Sequence, residues 1–171
     1  FTMDIVLIPA FEPDSQLIGI ANQLSDQGFK VLVVDDGSGK KYADIFEDVR
    51  KYATIITLEK NCGKGAALKT GMRYIKENLP ECENFITCDA DGQHKLSDIE
   101  RIKADLEEKG GFVIGARKFD GKVPLRSRFG NSITKLVFLI AAGKKCNDTQ
   151  TGLRGFSRDL FETMLAIKGN R

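Results

Sequence analysis

The chain lacks the features that would assign it to several classes at once. Its four cysteines, Cys62, Cys82, Cys88 and Cys146, form no CxxC pair, and its single histidine, His94, completes no zinc-binding spacing. Neither a disulfide framework nor a structural zinc site is expected on that basis, and the cysteines read as reduced thiols. No block of like charge is present: 26 Lys+Arg stand against 24 Asp+Glu, a formal charge of +2, so neither a nucleic-acid-binding arm nor an acidic tail is indicated. The longest apolar run, Leu136 to Ala142, falls far short of the roughly 18 to 20 residues that span a bilayer. No basic stretch followed by an apolar one opens the chain, so no secretory signal is visible. The expectation is a soluble domain with no nucleic-acid partner.

What is present fits a globular α/β protein. With 171 residues, 42% hydrophobic and 29% charged, the chain can bury a core as one domain without covalent staples. Asp4 to Pro9 (DIVLIP) and Lys30 to Asp35 (KVLVVD) are short β-branched runs, and Leu17, Ile18, Ala21 and Leu24 recur between them at helical spacing. The alternation continues with a helix near Lys41 to Tyr52, a strand Thr54 to Leu58, a helix from Gly65 to Asn78 and a strand Phe85 to Cys88. A helix near Asp98 to Lys109, opened by the capping-box pattern Ser97-x-x-Glu100, leads to a strand Phe112 to Gly115. Such alternation predicts a mostly parallel central sheet with helices on both faces. Beyond Gly115 come a basic loop, a helix over Leu125 to Ala142, a Gly/Asn/Thr-rich segment and a last helix near Arg158 to Ile167. The later part, 116–171, is therefore expected to do a different job from 1–115 within the same domain.

Ligands of open α/β sheets lie beyond the carboxyl ends of the strands, and three predicted strand ends carry acids: Asp35-Asp36, Glu59, and Asp89 with Asp91. Asp89-Ala90-Asp91 is the sharpest pattern. Residues i and i+2 of an extended segment face the same way about 6 to 7 Å apart, so two carboxylates can address one cation. Gly92 permits a tight turn after them, which would bring Gln93 and His94 back toward the acids. Solvated turn acids are the plainer reading of D-x-D taken alone. Two nucleotide motifs fail: Gly63-Lys64 has Leu58 and Gly65 where a P-loop needs Gly and Ser or Thr, and Gly63-x-Gly65 meets Leu68 where a dinucleotide fingerprint needs its third Gly.

Six segments occur in order: Pro9-Ala10-Phe11-Glu12, Val34-Asp35-Asp36-Gly37-Ser38, Asn61-Cys62-Gly63-Lys64-Gly65, Asp89-Ala90-Asp91-Gly92-Gln93-His94, Gly115-Ala116-Arg117 and Asp148 to Phe156. Together they resemble the family 2 glycosyltransferases of GT-A fold, in the branch that holds dolichol-phosphate mannose synthases and bacterial polyprenyl-phosphate glycosyltransferases. The resemblance covers nearly the whole chain. It implies inverting transfer of a hexose from a UDP- or GDP-linked donor to a polyprenyl or dolichyl phosphate, at the cytoplasmic face of a membrane. By resemblance, Pro9, Ala10, Phe11 and Glu12 wrap the nucleoside, Asp35 and Asp36 accept hydrogen bonds from base or ribose, and Lys64, Asp89, Ala90 and Asp91 line the donor. Asp89, Asp91 and Gln93 would hold Mg²⁺ or Mn²⁺. Arg117, Arg128 and Ser132 would take the acceptor phosphate, with Asp91, Arg117 and Arg128 as the residues at the reaction centre.

Where the family pattern reads P-A-Y-N-E, this chain reads Pro9-Ala10-Phe11-Glu12-Pro13. Family members typically continue past the position of Arg171, often into membrane segments, so a C-terminal continuation is expected. Two other readings stay open: transfer to a saccharide hydroxyl, and a catalytically silent nucleotide-binding module attached to a membrane protein.

Overall fold

The computed structural model describes residues 3–115 and 152–168. The expected helix over Leu125 to Ala142, together with Arg117, Arg128, Ser132 and Gln150, lies outside the described residues. Strand β1 (Asp4–Ala10) leads through helix α1 (Gln16–Asp26) to β2 (Lys30–Asp35). Helix α2 (Ala43–Val49), entered by a single 3₁₀ turn, leads to β3 (Ala53–Thr57), and α3 (Lys64–Asn78) to β4 (Asn84–Thr87). Next come α4 (Leu96–Lys109), β5 (Phe112–Ile114), β6 (Arg154–Ser157) and α5 (Phe161–Ala166).

These strands form one six-stranded sheet in the order β3-β2-β1-β4-β6-β5. The pairs β1·β2, β2·β3 and β1·β4 are parallel, whereas β6 runs antiparallel between β4 and β5. The reason the inner strands read as unbroken apolar runs is that both faces of the sheet are covered. Val6, Ile8, Val31 and Val33 face α1, α2 and α4, packing with Leu17, Leu24, Phe46, Ile99 and Ile102. The alternate residues Ile5, Leu7, Leu32 and Val34 face α3 and α5, packing with Met72, Ile75, Phe161 and Met164. Three ring stacks, Phe85 on Phe156, Phe85 on Phe161 and Phe112 on Phe156, tie β4, β5, β6 and α5 together at centroid separations of 4.8 to 5.0 Å.

Three local expectations change. The segment Arg154–Ser157 is a strand that the sequence pattern does not announce, because RGFS is short and has a glycine at its second position. Helix α4 presses directly on that glycine, Gly155: a Cβ there would collide with Ile102 and Leu106. Helix α4 starts at Leu96 with Lys95 as its extended N-cap and no side-chain cap, so Ser97 is inside the first turn and makes no capping box. Leu96 packs against the same core as Ile99 and Ile102, which draws the helix start back by two residues. The helix expected near Lys41 to Tyr52 is also shorter, because a turn at Arg50–Tyr52 closes it.

Arg158 has a structural task that its residue type alone does not reveal. Its guanidinium donates to the carbonyls of Leu79 (3.2 Å), Cys82 (2.8 Å) and Lys76 (3.2 Å), closing the carboxyl end of α3 and the turn after it. Carbonyls at a helix end lack intrahelical partners, and a cation there also meets the negative end of the helix dipole.

Candidate donor site at the carboxyl ends of the strands

Strand order reverses beside β1: β2 and β3 continue to one side of it and β4 lies on the other. In doubly wound sheets this switch point opens a crevice at the carboxyl ends of the strands. The segments following β1, β2 and β4 and the first turn of α3 all meet there.

After β1 the chain passes Phe11, which is 48% exposed and is the exposed large apolar side chain among the described residues. Glu12 then takes φ +48°, a left-handed conformation that costs a non-glycine residue about 1 to 2 kcal/mol. A hydrogen-bond relay holds this turn: Glu12 N donates to Ser38 Oγ at 2.9 Å, and Ser38 N donates to Asp35 Oδ1 at 2.9 Å. Asp35 and Asp36 are both buried. Asp36 grips the loop ahead of α3, its two oxygens accepting from Cys62 N (2.7 Å) and Gly63 N (2.8 Å). Gly37, at φ +74°, lets the two loops approach this closely, since a Cβ there would overlap the Lys60–Asn61 backbone. The acid pair thus builds the floor under α3, with Asp35 fixing the β1 turn and Asp36 the β3–α3 loop.

Asp89 is the meeting point of the site. Lys64, the first residue of α3, donates from Nζ to Asp89 Oδ1 in an ion pair. His94 Nε2 stands 3.7 Å from Asp89 Oδ2, beyond hydrogen-bonding distance; its side chain is only 7% exposed and this nitrogen has no hydrogen-bond partner. Burial works against ionisation of Asp89, yet the adjacent His94 and the charge of Lys64 outweigh it and hold the carboxyl well below the usual carboxylate range. Asp91 and Gln93 lie on the exposed side of the turn, where Asp91 Oδ1 accepts from Gln93 N at 3.1 Å.

The sixth segment reaches this carboxylate through Gly152. A Cβ at Gly152 would overlap the carboxyl carbon and both oxygens of Asp89, so the α-carbon lies directly against the acid. Thr87 Oγ1 donates to the Gly152 carbonyl at 3.1 Å, and Gly115 N donates to the Leu153 carbonyl at 3.1 Å. Expected residues Pro9 to Glu12, Asp35, Asp36, Lys64, Asp89, Ala90, Asp91 and Gln93 all belong to this end of the sheet. The contribution of Gly152 is a matter of space rather than of chemistry, which is why its residue type did not announce it.

Among the described residues no three His, Cys, Asp or Glu side chains come together as a metal cage. The donor set still suits Mg²⁺ or Mn²⁺, because carboxylate oxygens are hard ligands and such ions are commonly held by one or two carboxylates together with substrate phosphates. No helix among the described residues is long and apolar enough to cross a membrane.

The model of the family described as Glycosyl transferase family 2 matches residues 5–165. The chain is 33% identical, over 97% of its length and 70% of the relative's, to an uncharacterized protein of Methanocaldococcus jannaschii. It is 26% identical over 93% of its length to the UDP-N-acetylglucosamine–dolichyl-phosphate N-acetylglucosaminyltransferase of Methanococcus voltae, covering 71% of that protein. It is 28% identical over 94% of its length to the undecaprenyl-phosphate 4-deoxy-4-formamido-L-arabinose transferase of Photorhabdus laumondii, of which it spans 50%.

Among solved structures, glucosyl-3-phosphoglycerate synthase from Mycobacterium tuberculosis, in complex with Mn²⁺, UDP and phosphoglyceric acid, superposes with TM-score 0.61 at 18% identity. That match covers 93% of this chain and 57% of the other. Staphylococcus aureus TarS 1-349 superposes with TM-score 0.58 at 17% identity, covering 94% of this chain and 48% of the other. The chain thus spans about half the length of several proteins it matches. Identities this low speak for the fold alone, which is GT-A. Taken with the near-complete match to the family model, the chain belongs to glycosyl transferase family 2.

Proposed function

We propose that this chain binds a nucleoside-diphosphate sugar, UDP- or GDP-linked, in the crevice beside β1 and transfers its hexose, with inversion, to a polyprenyl or dolichyl phosphate. The observation that carries the reading is the convergence on Asp89. An acid at the end of β4 sits beside Lys64 from α3, with the exposed turn Asp91–Gln93 next to it and the exposed Phe11 following the neighbouring strand β1. Relatives whose names specify dolichyl-phosphate and undecaprenyl-phosphate transferases support the acceptor class.

In this reading Phe11, with Pro9, Ala10 and Glu12, forms the wall against the nucleoside. Asp35 and Asp36 keep the base and ribose pocket in shape and offer their remaining acceptor capacity to it, and Lys64 faces the diphosphate. Asp89 and Asp91, with Gln93 and Ala90 in the same turn, would hold Mg²⁺ or Mn²⁺, whose charge favours departure of the nucleoside diphosphate. An oxygen of the acceptor phosphate attacks the anomeric carbon as the bond from that carbon to the diphosphate oxygen breaks, and the configuration inverts. The ionised phosphate is itself the nucleophile, so no strong general base is required, and Asp91 serves alignment. Arg117 and Arg128, with Ser132, are assigned to the acceptor phosphate, where an arginine fork makes two parallel hydrogen bonds. A lipid acceptor places the working protein at a membrane surface.

The test is a transfer assay on the full-length protein with radiolabelled UDP- and GDP-sugars, offering a polyprenyl phosphate in detergent against free saccharides. Label moving into the lipid, and lost in Arg117→Ala/Arg128→Ala while donor binding persists, is the expected outcome. Label moving only to hydroxyl acceptors would contradict the lipid-phosphate assignment.

A further inference from the structure

We propose that Lys64 is a built-in competitor for the divalent cation at Asp89, and that the donor's diphosphate relieves the competition by drawing Lys64 onto itself. This inference rests on the donor-site reading above and adds to it an order and a coupling between cation and nucleotide.

The geometry sets the competition. Asp89 offers two oxygens: Oδ1 carries the Lys64 ammonium, and Oδ2 is on the side of the buried His94, with Gly152 pressed against the carboxyl group. A cation seeking Asp89 therefore meets a positive charge at one oxygen and a packed wall at the other. Lys64 can leave. It stands at the first position of α3 and its side chain is 43% exposed, against 28% for Asp89, so its flexible stem can swing without opening the core. Its chemistry suits both positions, since an ammonium has three donors and no acceptor and binds a carboxylate or a phosphate as a point charge. A diphosphate arriving at the start of α3 gives Lys64 a second anionic partner, and Asp89 Oδ1 is then free for the cation.

Two consequences follow from electrostatics. The cation alone binds weakly, because it must displace Lys64 or sit beside it. The diphosphate and the cation raise each other's affinity, and by linkage they do so by the same factor.

Mn²⁺ binding to the full-length protein, followed by electron paramagnetic resonance without nucleotide, tests this. Lys64→Met should bind Mn²⁺ about tenfold tighter than the parent protein, the scale expected from removing one nearby positive charge in a partly exposed site. Lys64→Arg, which keeps the charge, should remain as weak as the parent. Once Asp89→Asn is in place, adding Lys64→Met should no longer change Mn²⁺ binding. Equal or weaker Mn²⁺ binding by Lys64→Met, with binding still lost in Asp89→Asn, overturns the competition and leaves the donor site standing. Mn²⁺ binding unchanged by Asp89→Asn overturns the donor-site reading and the competition with it, whereas lack of Mn²⁺ binding by every variant, Lys64→Met included, overturns the competition alone, because the donor's phosphates complete the cation's ligands.

Discussion

Gly152 illustrates how much a missing side chain can control. It has no functional group, yet its α-carbon fixes where the Asp89 carboxylate can be. Gly152→Ala should displace that carboxylate and lower transfer about 10²-fold, the usual cost of misplacing a reacting group by an ångström. Circular dichroism should show the fold retained, and a rate close to that of the parent protein would contradict the packing argument. Glu12 is the opposite case, a full side chain held at φ +48°. The family pattern carries Asn here, and Asn tolerates the left-handed region better than Glu does. Glu12→Asn should therefore raise stability by about 1 kcal/mol in urea unfolding, and a loss of stability would show that Glu12 makes a compensating contact. Neither prediction was legible from residue type. The D-x-D acids and Lys64 were legible because their chemistry is written in their functional groups, whereas Gly152 and the turn at Glu12 act through space and backbone.

Elements were legible where the apolar pattern was long. Strands β1 and β2 read as continuous β-branched runs because helices cover both of their faces, and α1, α3 and α4 carry clear helical periods. β6 escaped because its pairing partners, β4 and β5, come from distant sequence and its four residues have no pattern of their own. Arg158, next to β6, opens the last helix expected from the sequence pattern. It joins the far end of α3 to the chain entering α5 through three carbonyls. Arg158→Met keeps much of the stem packing and leaves those acceptors without their cation, so it should cost about 2 kcal/mol in chemical unfolding. A cost under a few tenths of a kcal/mol would mean that water replaces the guanidinium fully.

At the scale of the whole molecule, the sheet topology explains both the stability and the placement of the chemistry. Burial pushes the thiols of Cys82 and Cys88 up to about 12 from an ordinary 9.0. The folded protein thus keeps protons that the unfolded chain releases above pH 9. The stability these thiols contribute is complete below that pH and falls between pH 9 and 12, by about 1.4 kcal/mol per pH unit for each thiol. Cys82→Ala/Cys88→Ala should have a lower starting stability and a shallower alkaline decline, and an identical slope would contradict the assignment. The same sheet, reversing its strand order beside β1, collects acids from β2 and β4 and the start of α3 at one edge.

Whether a nucleoside diphosphate and a cation share that edge is decided by calorimetric titration of UDP and GDP with and without Mn²⁺, on the parent protein and on Asp89→Ala/Asp91→Ala. One nucleotide should bind in a Mn²⁺-dependent way, and the double substitution should weaken this binding about 100-fold, the upper end of the cost of disturbing a metal site. Nucleotide binding that is equally tight without Mn²⁺ and in the double variant would contradict it.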